Sequence, residues 1–162
     1  MMNNGNMERI VMSIGGSLII PNGTVDTDFL KGLNTFVRKL LQENSKRQFF
    51  LVTGGGWIAR HYRDAGKSIL CHELTVDDLD WLGIHATRLN GHLLRTIFRD
   101  IAHPYLIKNY DIIRKVKEPV AIAAGWKPGW STDYDAVLLC EDYDVKTVIN
   151  LSNVDYIYDK DP

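Results

Sequence analysis

Gly-Trp-Lys-Pro-Gly-Trp-Ser-Thr-Asp, residues 125–133, decides how this chain folds. The apolar run Pro119 to Ala124 precedes it, and a helical pattern from Asp133 to Glu141 follows it. The order is strand, glycine-bearing loop, then a helix that opens on Ser, Thr and Asp. A helix start offers unpaired N–H groups and the positive end of a dipole, which suits an anion. Two more glycine loops stand at similar junctions: Ile14-Gly15-Gly16-Ser17 and Thr53-Gly54-Gly55-Gly56. Glycine lets backbone N–H groups approach a phosphate with no side chain between. Three such loops on one sheet would surround a ligand that carries several phosphates.

The periodicity outside these loops supplies the sheet and its helices. Arg9 to Ile14 and Gln48 to Thr53 read as buried strands, and Lys146 to Leu151 as another. Asp26-Thr27-Asp28 caps a helix through about Asn44, with Phe29, Leu33, Phe36, Val37, Leu40 and Leu41 on one face. Ser17 to Ile20 fits either a helix start or extended chain. Trp57 to Ala65 is helical, with Gly66 as its C-cap. Lys67 to Thr75 has no clear pattern. Val76 to Asp100 is a long helix with a stripe from Leu79 to Ile97. Gly83 and Gly91 inside it suggest close packing or a nearby ligand. Pro104 to Ile107 is predicted as a short strand, and Asn109 to Lys117 as a helical turn. The resulting order, β-α-β-α-α-β-β-α-β, predicts an α/β domain with a mostly parallel sheet and helices on both faces. In such sheets ligands bind at the carboxyl ends of the strands. All three glycine loops and Ser152-Asn153 fall there.

Composition narrows the function. The chain has 162 residues, 45% of them hydrophobic and 24% charged, with net charge −1. That length suggests one domain, residues 9–162, after a polar, Asn-rich lead, residues 1–8, read as disordered. No basic excess argues for a nucleic acid polymer. No apolar run approaches the ~20 residues that span a bilayer, and no signal core is present, so a cytoplasmic protein is expected. The two cysteines, Cys71 and Cys140, are far apart and read as reduced thiols. The five histidines share no metal spacing, so no protein-borne metal site is expected. Neither Gly-x-x-x-x-Gly-Lys-Ser/Thr nor a Gly-x-Gly-x-x-Gly after a strand occurs, which disfavours common P-loop and dinucleotide sites. Arg60, one turn after Gly56, can reach back to that loop's anion. Asp80 lies in an acidic cluster with Asp77 and Asp78, at what reads as the start of the long helix. Helix-dipole complementarity explains Asp77 and Asp78 better than it explains Asp80, whose carboxylate can accept two sugar hydroxyls. No catalytic triad or acid–base dyad stands out, and no catalytic residue is assigned.

Five motifs in order resemble the amino acid kinase superfamily, and within it uridylate (UMP) kinases of the archaeal type. They are residues 13–17, Ser-Ile-Gly-Gly-Ser; 54–60, Gly-Gly-Gly-Trp-Ile-Ala-Arg; and 79–90, Leu-Asp-Trp-Leu-Gly-Ile-His-Ala-Thr-Arg-Leu-Asn. The last two are 127–133, Lys-Pro-Gly-Trp-Ser-Thr-Asp, and 153–162, Asn-Val-Asp-Tyr-Ile-Tyr-Asp-Lys-Asp-Pro. The resemblance implies that Gly55 and Asp80 hold the phosphate and ribose of UMP. It implies that Trp126, Lys127, Pro128, Gly129, Trp130, Ser131 and Thr132 wrap the rest. Gly15, Gly16, Ser17, Gly56 and Arg60 would face the ATP phosphates. Ser152, Asn153, Tyr158 and Asp161 would line the adenosine side. The implied reaction moves the γ-phosphoryl of ATP, carried with Mg²⁺, onto UMP to give UDP. The implied assembly is a homo-oligomer, commonly a hexamer, with Trp81 and His85 of the long helix as candidate contacts.

The sequence also departs from the family. Trp126 and Trp130 are bulky for their loop and suit stacking on a base or a neighbouring subunit. Tyr156 replaces a customary Gly. Family members run several tens of residues past the position of Pro162, so the chain is expected to lack part of the ATP side and to be weak in turnover. Two other readings stay open. One is a non-catalytic binding relative of the molybdenum storage type, echoed in Ala59-Arg60-His61. The other is a kinase for another small phosphate such as isopentenyl phosphate.

Overall fold

The computed structural model describes residues 7–153. Four strands form one parallel sheet: β1 (Glu8–Ile14), β2 (Arg47–Thr53), β3 (Val120–Ala124) and β4 (Val148–Leu151). Their order across the sheet is β3-β2-β1-β4. The chain runs outward from β1 to β3, then crosses back to place β4 on the other side of β1. That reversal opens a crevice at the carboxyl ends of β1 and β4, where ligands bind in doubly wound sheets.

The helices are α1 (Gly16–Ile19), α2 (Thr27–Glu43), α3 (Gly56–Leu70), α4 (Val76–Ile97) and α5 (Thr132–Asp142). Alternation along the central strands sends side chains to two cores. Met12, Ile14, Phe49, Leu51 and Ile122 pack with Leu30, Leu33 and Val37 of α2 and Leu94 of α4. Val11, Phe50, Val52, Ala121 and Ala123 pack with Ala136 and Leu139 of α5. The expected helices on both faces are therefore present.

Several local expectations need correction. Asp26 caps α2, accepting from the amides of Asp28 and Phe29, as its position suggested. Ser17 to Ile19 belong to the short helix α1, and Ile20 is its C-cap with non-helical backbone. Gly66 is not a C-cap. α3 continues to Leu70, because Gly66 lies against Leu74 and Leu82, and the chain turns at Cys71 with φ 51°. The long helix ends at Ile97 and begins at Val76 behind a Thr75–Asp78 capping box, so Asp80 lies one turn inside rather than at its start. Pro104 to Ile107 is not a strand. Only isolated bridges, Ala102 to Val120 and Ile107 to Ala123, tie that stretch to β3. Asn109 to Lys117 is not helical either. It is held by side chains: Gln48 Nε2 donates to the carbonyls of Val116 and Glu118, and the Tyr143 hydroxyl donates to that of Arg114.

Candidate functional site

The first two glycine loops touch. Gly54 N donates to Ile14 O at 2.9 Å, and Trp57 N to Ile20 O at 3.1 Å. A Cβ on Gly16 would fall 2.6 Å from the carbonyl carbons of both Gly54 and Gly55. Gly56 has φ +65° and meets Gly16 from the other side. These glycines are required by one backbone lying directly on another, before any ligand is considered. At the crevice Gly15 N donates to Leu151 O at 2.8 Å, and a Cβ on Gly15 would meet that oxygen at 3.0 Å and Ser152 beyond it. Arg60 Nη1 reaches Ser17 Oγ at 3.4 Å. Gly15, Gly16, Ser17, Gly56, Arg60 and Ser152 thus gather at one end of the sheet, with Asn153 next in the chain. Tyr158, Asp161 and Tyr156 lie outside the described residues.

Helix α4 connects that end to the third loop. Asn90 is buried and its amide donates to Gly54 O at 2.8 Å and Gly55 O at 3.3 Å. Thr87 Oγ1 accepts from Gly125 N at 2.9 Å. Arg88 donates from Nε to Gly125 O at 3.1 Å and from Nη2 to Trp126 O at 2.8 Å. Asp80 Oδ2 accepts from Gly129 N at 2.8 Å, and its other oxygen lies 3.8 Å from Arg63 Nη2. The spacing of Asp80, Thr87 and Arg88 puts three loop anchors along one side of α4. Asp78, by contrast, belongs to the capping box, whose Thr75 hydrogen bonds hold its carboxyl below the usual range. The suspicion raised by the helix glycines divides. Gly91 is close packing, since a Cβ there would meet Leu106 at 2.7 Å and Thr53 at 3.2 Å; Gly83 faces open space.

The third loop turns at Pro128-Gly129, with Gly129 at φ +81°, the arrangement of a type II turn. Ser131 then caps α5, its Oγ accepting from Tyr134 N at 3.1 Å, and Thr132 is the first helical residue. The two tryptophans are half-buried and do not stack face to face. They meet edge to face at 5.0 Å, and the Lys127 ammonium lies over both rings, 4.1 Å from the Trp126 centroid and 4.3 Å from that of Trp130. Gly55 backs onto α4, within contact of Ala86 and Gly83 O.

Five polar residues here have no role assigned from the sequence. Thr87, Arg88 and Asn90 lie inside a stretch quoted for its family likeness, yet their roles depend on which way α4 faces. Asp133, in the first turn of α5, accepts from Ser13 Oγ at 2.6 Å and from Asn150 Nδ2 at 3.4 Å. It thereby joins β1, β4 and the third loop. Its signal was present as an acid just inside a helix start, although three strands had to be ordered before its partners were known. Asp135, two residues further on in the same first turn, is fully buried, and neither carboxylate oxygen has a hydrogen-bond partner among the described residues. Burial raises it to about 7, against the smaller opposing effects of the Trp126 backbone and the Arg88 charge. Among the described residues no group of three or more His, Cys, Asp or Glu is placed to hold a metal ion, and no helix is long and apolar enough to cross a membrane.

Comparison with known proteins agrees with this fold. The amino acid kinase family model matches residues 8–162. A uridylate kinase of Thermococcus onnurineus is 35% identical over 158 residues, 95% of this chain and 66% of that protein. One of Thermoplasma volcanium is 34% identical over 157 residues, 96% of this chain and 65% of its own length. The solved uridylate kinase of Archaeoglobus fulgidus superimposes with a TM-score of 0.77 at 28% identity, covering 96% of this chain and 68% of that one. The chain spans about two thirds of the length of the curated relatives it matches. The glycine loops, the parallel sheet that aligns them and the match over nearly the whole chain lead to one conclusion: this protein belongs to the amino acid kinase family.

Proposed function

We propose that this protein is a UMP kinase domain, moving the γ-phosphoryl of ATP onto the phosphate of UMP to give UDP. The observation that carries this reading is α4, which ties the 125–132 loop and the Gly54-Gly55-Gly56 loop to the same strand ends. An acceptor held by one loop then faces a donor held by the other. The relatives named uridylate kinase support the choice of acceptor. In this reading Gly55, Asp80 and residues 126–132 hold UMP. Gly15, Gly16, Ser17, Gly56, Arg60, Ser152 and Asn153 face ATP, which brings its own Mg²⁺.

The attacking group is already an anionic phosphate oxygen, so no strong general base is required. Alignment of donor and acceptor supplies part of the rate. The remainder comes from neutralising charge on the transferring phosphoryl, through backbone N–H groups and Arg60. The exposed apolar residues Tyr62, Trp81 and Leu89 on α3 and α4 support self-association, expected as a hexamer. Light scattering that returns a monomer at micromolar concentration would remove that part.

Titration calorimetry with UMP, CMP, isopentenyl phosphate, molybdate and ATP tests the assignment. UMP is expected to bind and ATP to bind more weakly. No heat with any uridine nucleotide overturns it, and heat with molybdate or isopentenyl phosphate alone moves the protein to the storage or alternative-kinase reading. Asp80→Ala removes a charged acceptor from the 125–132 loop, worth ~1.5–3 kcal/mol, and should weaken UMP by about tenfold or more. Asp77→Ala, on the exposed first turn, should change it less than about threefold. Equal effects would reduce Asp80 to helix electrostatics.

A further inference from the structure

We propose that Asp135 and Arg88 form a proton-controlled latch on the 125–132 loop: protonated Asp135 leaves Arg88 on the loop carbonyls, and ionised Asp135 draws it away. The starting point is an anomaly. Buried polar groups are almost always hydrogen-bonded, and a buried unpaired carboxylate is strongly disfavoured. Asp135 is fully buried, yet neither of its oxygens has a hydrogen-bond partner among the described residues. Its amide donates to Ser131 O at 3.0 Å, which fixes its place in the first turn of α5, directly after the loop.

The groups around it come from α4, the connection between α4 and β3, the 125–132 loop, α5 and the sheet; from the loop, the Trp126 backbone favours its charged form. Arg88 faces it from α4, and Tyr110 from the connection between α4 and β3; both feel its charge. Tyr110 cannot serve as its donor while its hydroxyl donates to Ala124 O at 3.2 Å. On α5 itself, Asp142 acts on Tyr110 rather than on Asp135, and Asp133 is held by Ser13 and Asn150. The sheet beneath offers only apolar side chains such as Val52 and Ala123. Arg88 is therefore the one charged donor facing Asp135 among the described residues, and it uses two N–H groups of its five on Gly125 O and Trp126 O.

A guanidinium bonds a carboxylate more strongly than it bonds neutral carbonyls. With Asp135 protonated, the observed arrangement is the stable one, and the loop is pinned to α4. When Asp135 releases its proton to solvent, the bidentate ion pair competes, and Gly125 O and Trp126 O lose their donor. The residues that follow, Trp126, Lys127 and Trp130, then move from their mutual packing. The elevated carboxyl, about 7, puts this exchange near neutrality. The consequence for UMP affinity rests on the proposed kinase reading; the loop movement does not.

The test separates the two. His61 stacks on Trp57 at 4.3 Å, and His85 lies 6.2 Å from Trp81, so both of these tryptophans have a second ionisable ring beside them and are replaced. A Trp57→Phe, Trp81→Phe protein leaves Trp126 and Trp130 as the emitting indoles. Its emission, without any nucleotide, is expected to change through one protonation centred near pH 7. Asp135→Asn should abolish that change, and Arg88→Gln should abolish it as well by removing the latch. A flat emission profile in the parent, or an unchanged transition in both variants, overturns the proposal. UMP calorimetry across pH 6 to 8 then adds a second readout. The parent should lose about tenfold in affinity relative to Asp135→Asn over that range. If UMP fails to bind while the emission transition depends on Asp135, the kinase reading fails and the latch stands. If UMP binds with the same pH profile in both proteins, the loop does not govern acceptor affinity and that consequence of the latch is rejected.

Discussion

Gly16→Ala is expected to destabilise the domain by about 3 kcal/mol and to abolish nucleotide binding. The new methyl would lie 2.6 Å from the carbonyl carbons of Gly54 and Gly55, and those atoms are backbone in a sheet-anchored turn. A flexible side chain would swing aside, whereas here the first two glycine loops must separate. For a domain of this size, ~3 kcal/mol lowers the melting temperature by about 6–12 °C. The control is the same chemical change in open space. Gly32 is exposed on α2 with nothing within 4 Å of its Cβ position. Gly32→Ala should stabilise by ~0.5–1 kcal/mol, from helix propensity and reduced freedom of the unfolded chain. Thermal melts of the two variants with the parent check both signs. A Gly16→Ala protein that melts with the parent and still binds ATP would show that the loops do not need their contact.

Asp135→Asn is expected to change how stability depends on pH. The Asp135 carboxyl is raised in the folded state, from an ordinary value of 3.8 to about 7. The folded protein therefore holds a proton that the unfolded chain has released between about pH 4 and 7. Stability contributed by the neutral carboxyl is present below pH 4 and is lost as pH rises towards 7. One pKa unit is ~1.36 kcal/mol, so the loss is on the order of 4 kcal/mol, with the opposing effect of Arg88 already contained in that shift. Other groups run the opposite way. Glu8, Asp78, Asp100 and Glu118 are all held below their ordinary values by hydrogen bonds, so their contribution disappears on acidification. The difference between variant and parent isolates Asp135. Chemical denaturation at pH 5 and pH 8 should find the Asn variant gaining on the parent by about 2–4 kcal/mol at the higher pH. An equal gap at both pH values would mean that Asp135 ionises freely in the folded protein.

Much of the fold was legible because it depends on periodicity. Strands β1, β2 and β3 are short apolar runs that end in glycine, and α2 and α4 repeat their apolar residues at helical spacing. Such patterns report which face is buried without reference to any partner. The failures share one cause. Pro104 to Ile107 has strand composition, yet only isolated bridges attach it to β3. Gly66 resembles a helix end, but its missing side chain makes room for Leu74 and Leu82. Asn109 to Lys117 is shaped by Gln48 and Tyr143, both distant in sequence.

The division runs through the site as well. Sequence by itself determined the α/β class, the three glycine loops at strand ends, and the family motifs that point to two nucleotides. Those are statements about local conformation and residue order, which neighbours in the chain control. Only the tertiary structure decided what the glycines and acids do. Gly16 and Gly56 read as phosphate contacts, and together with Gly54 they are first of all the contact between two loops. Asp80 read as a sugar ligand, and its carboxylate also anchors Gly129. Asp135 was one more polar residue in a helical pattern until burial left its oxygens without a hydrogen-bond partner among the described residues. Burial and hydrogen bonding are set by groups brought together from far along the chain, and they give a carboxylate its chemistry.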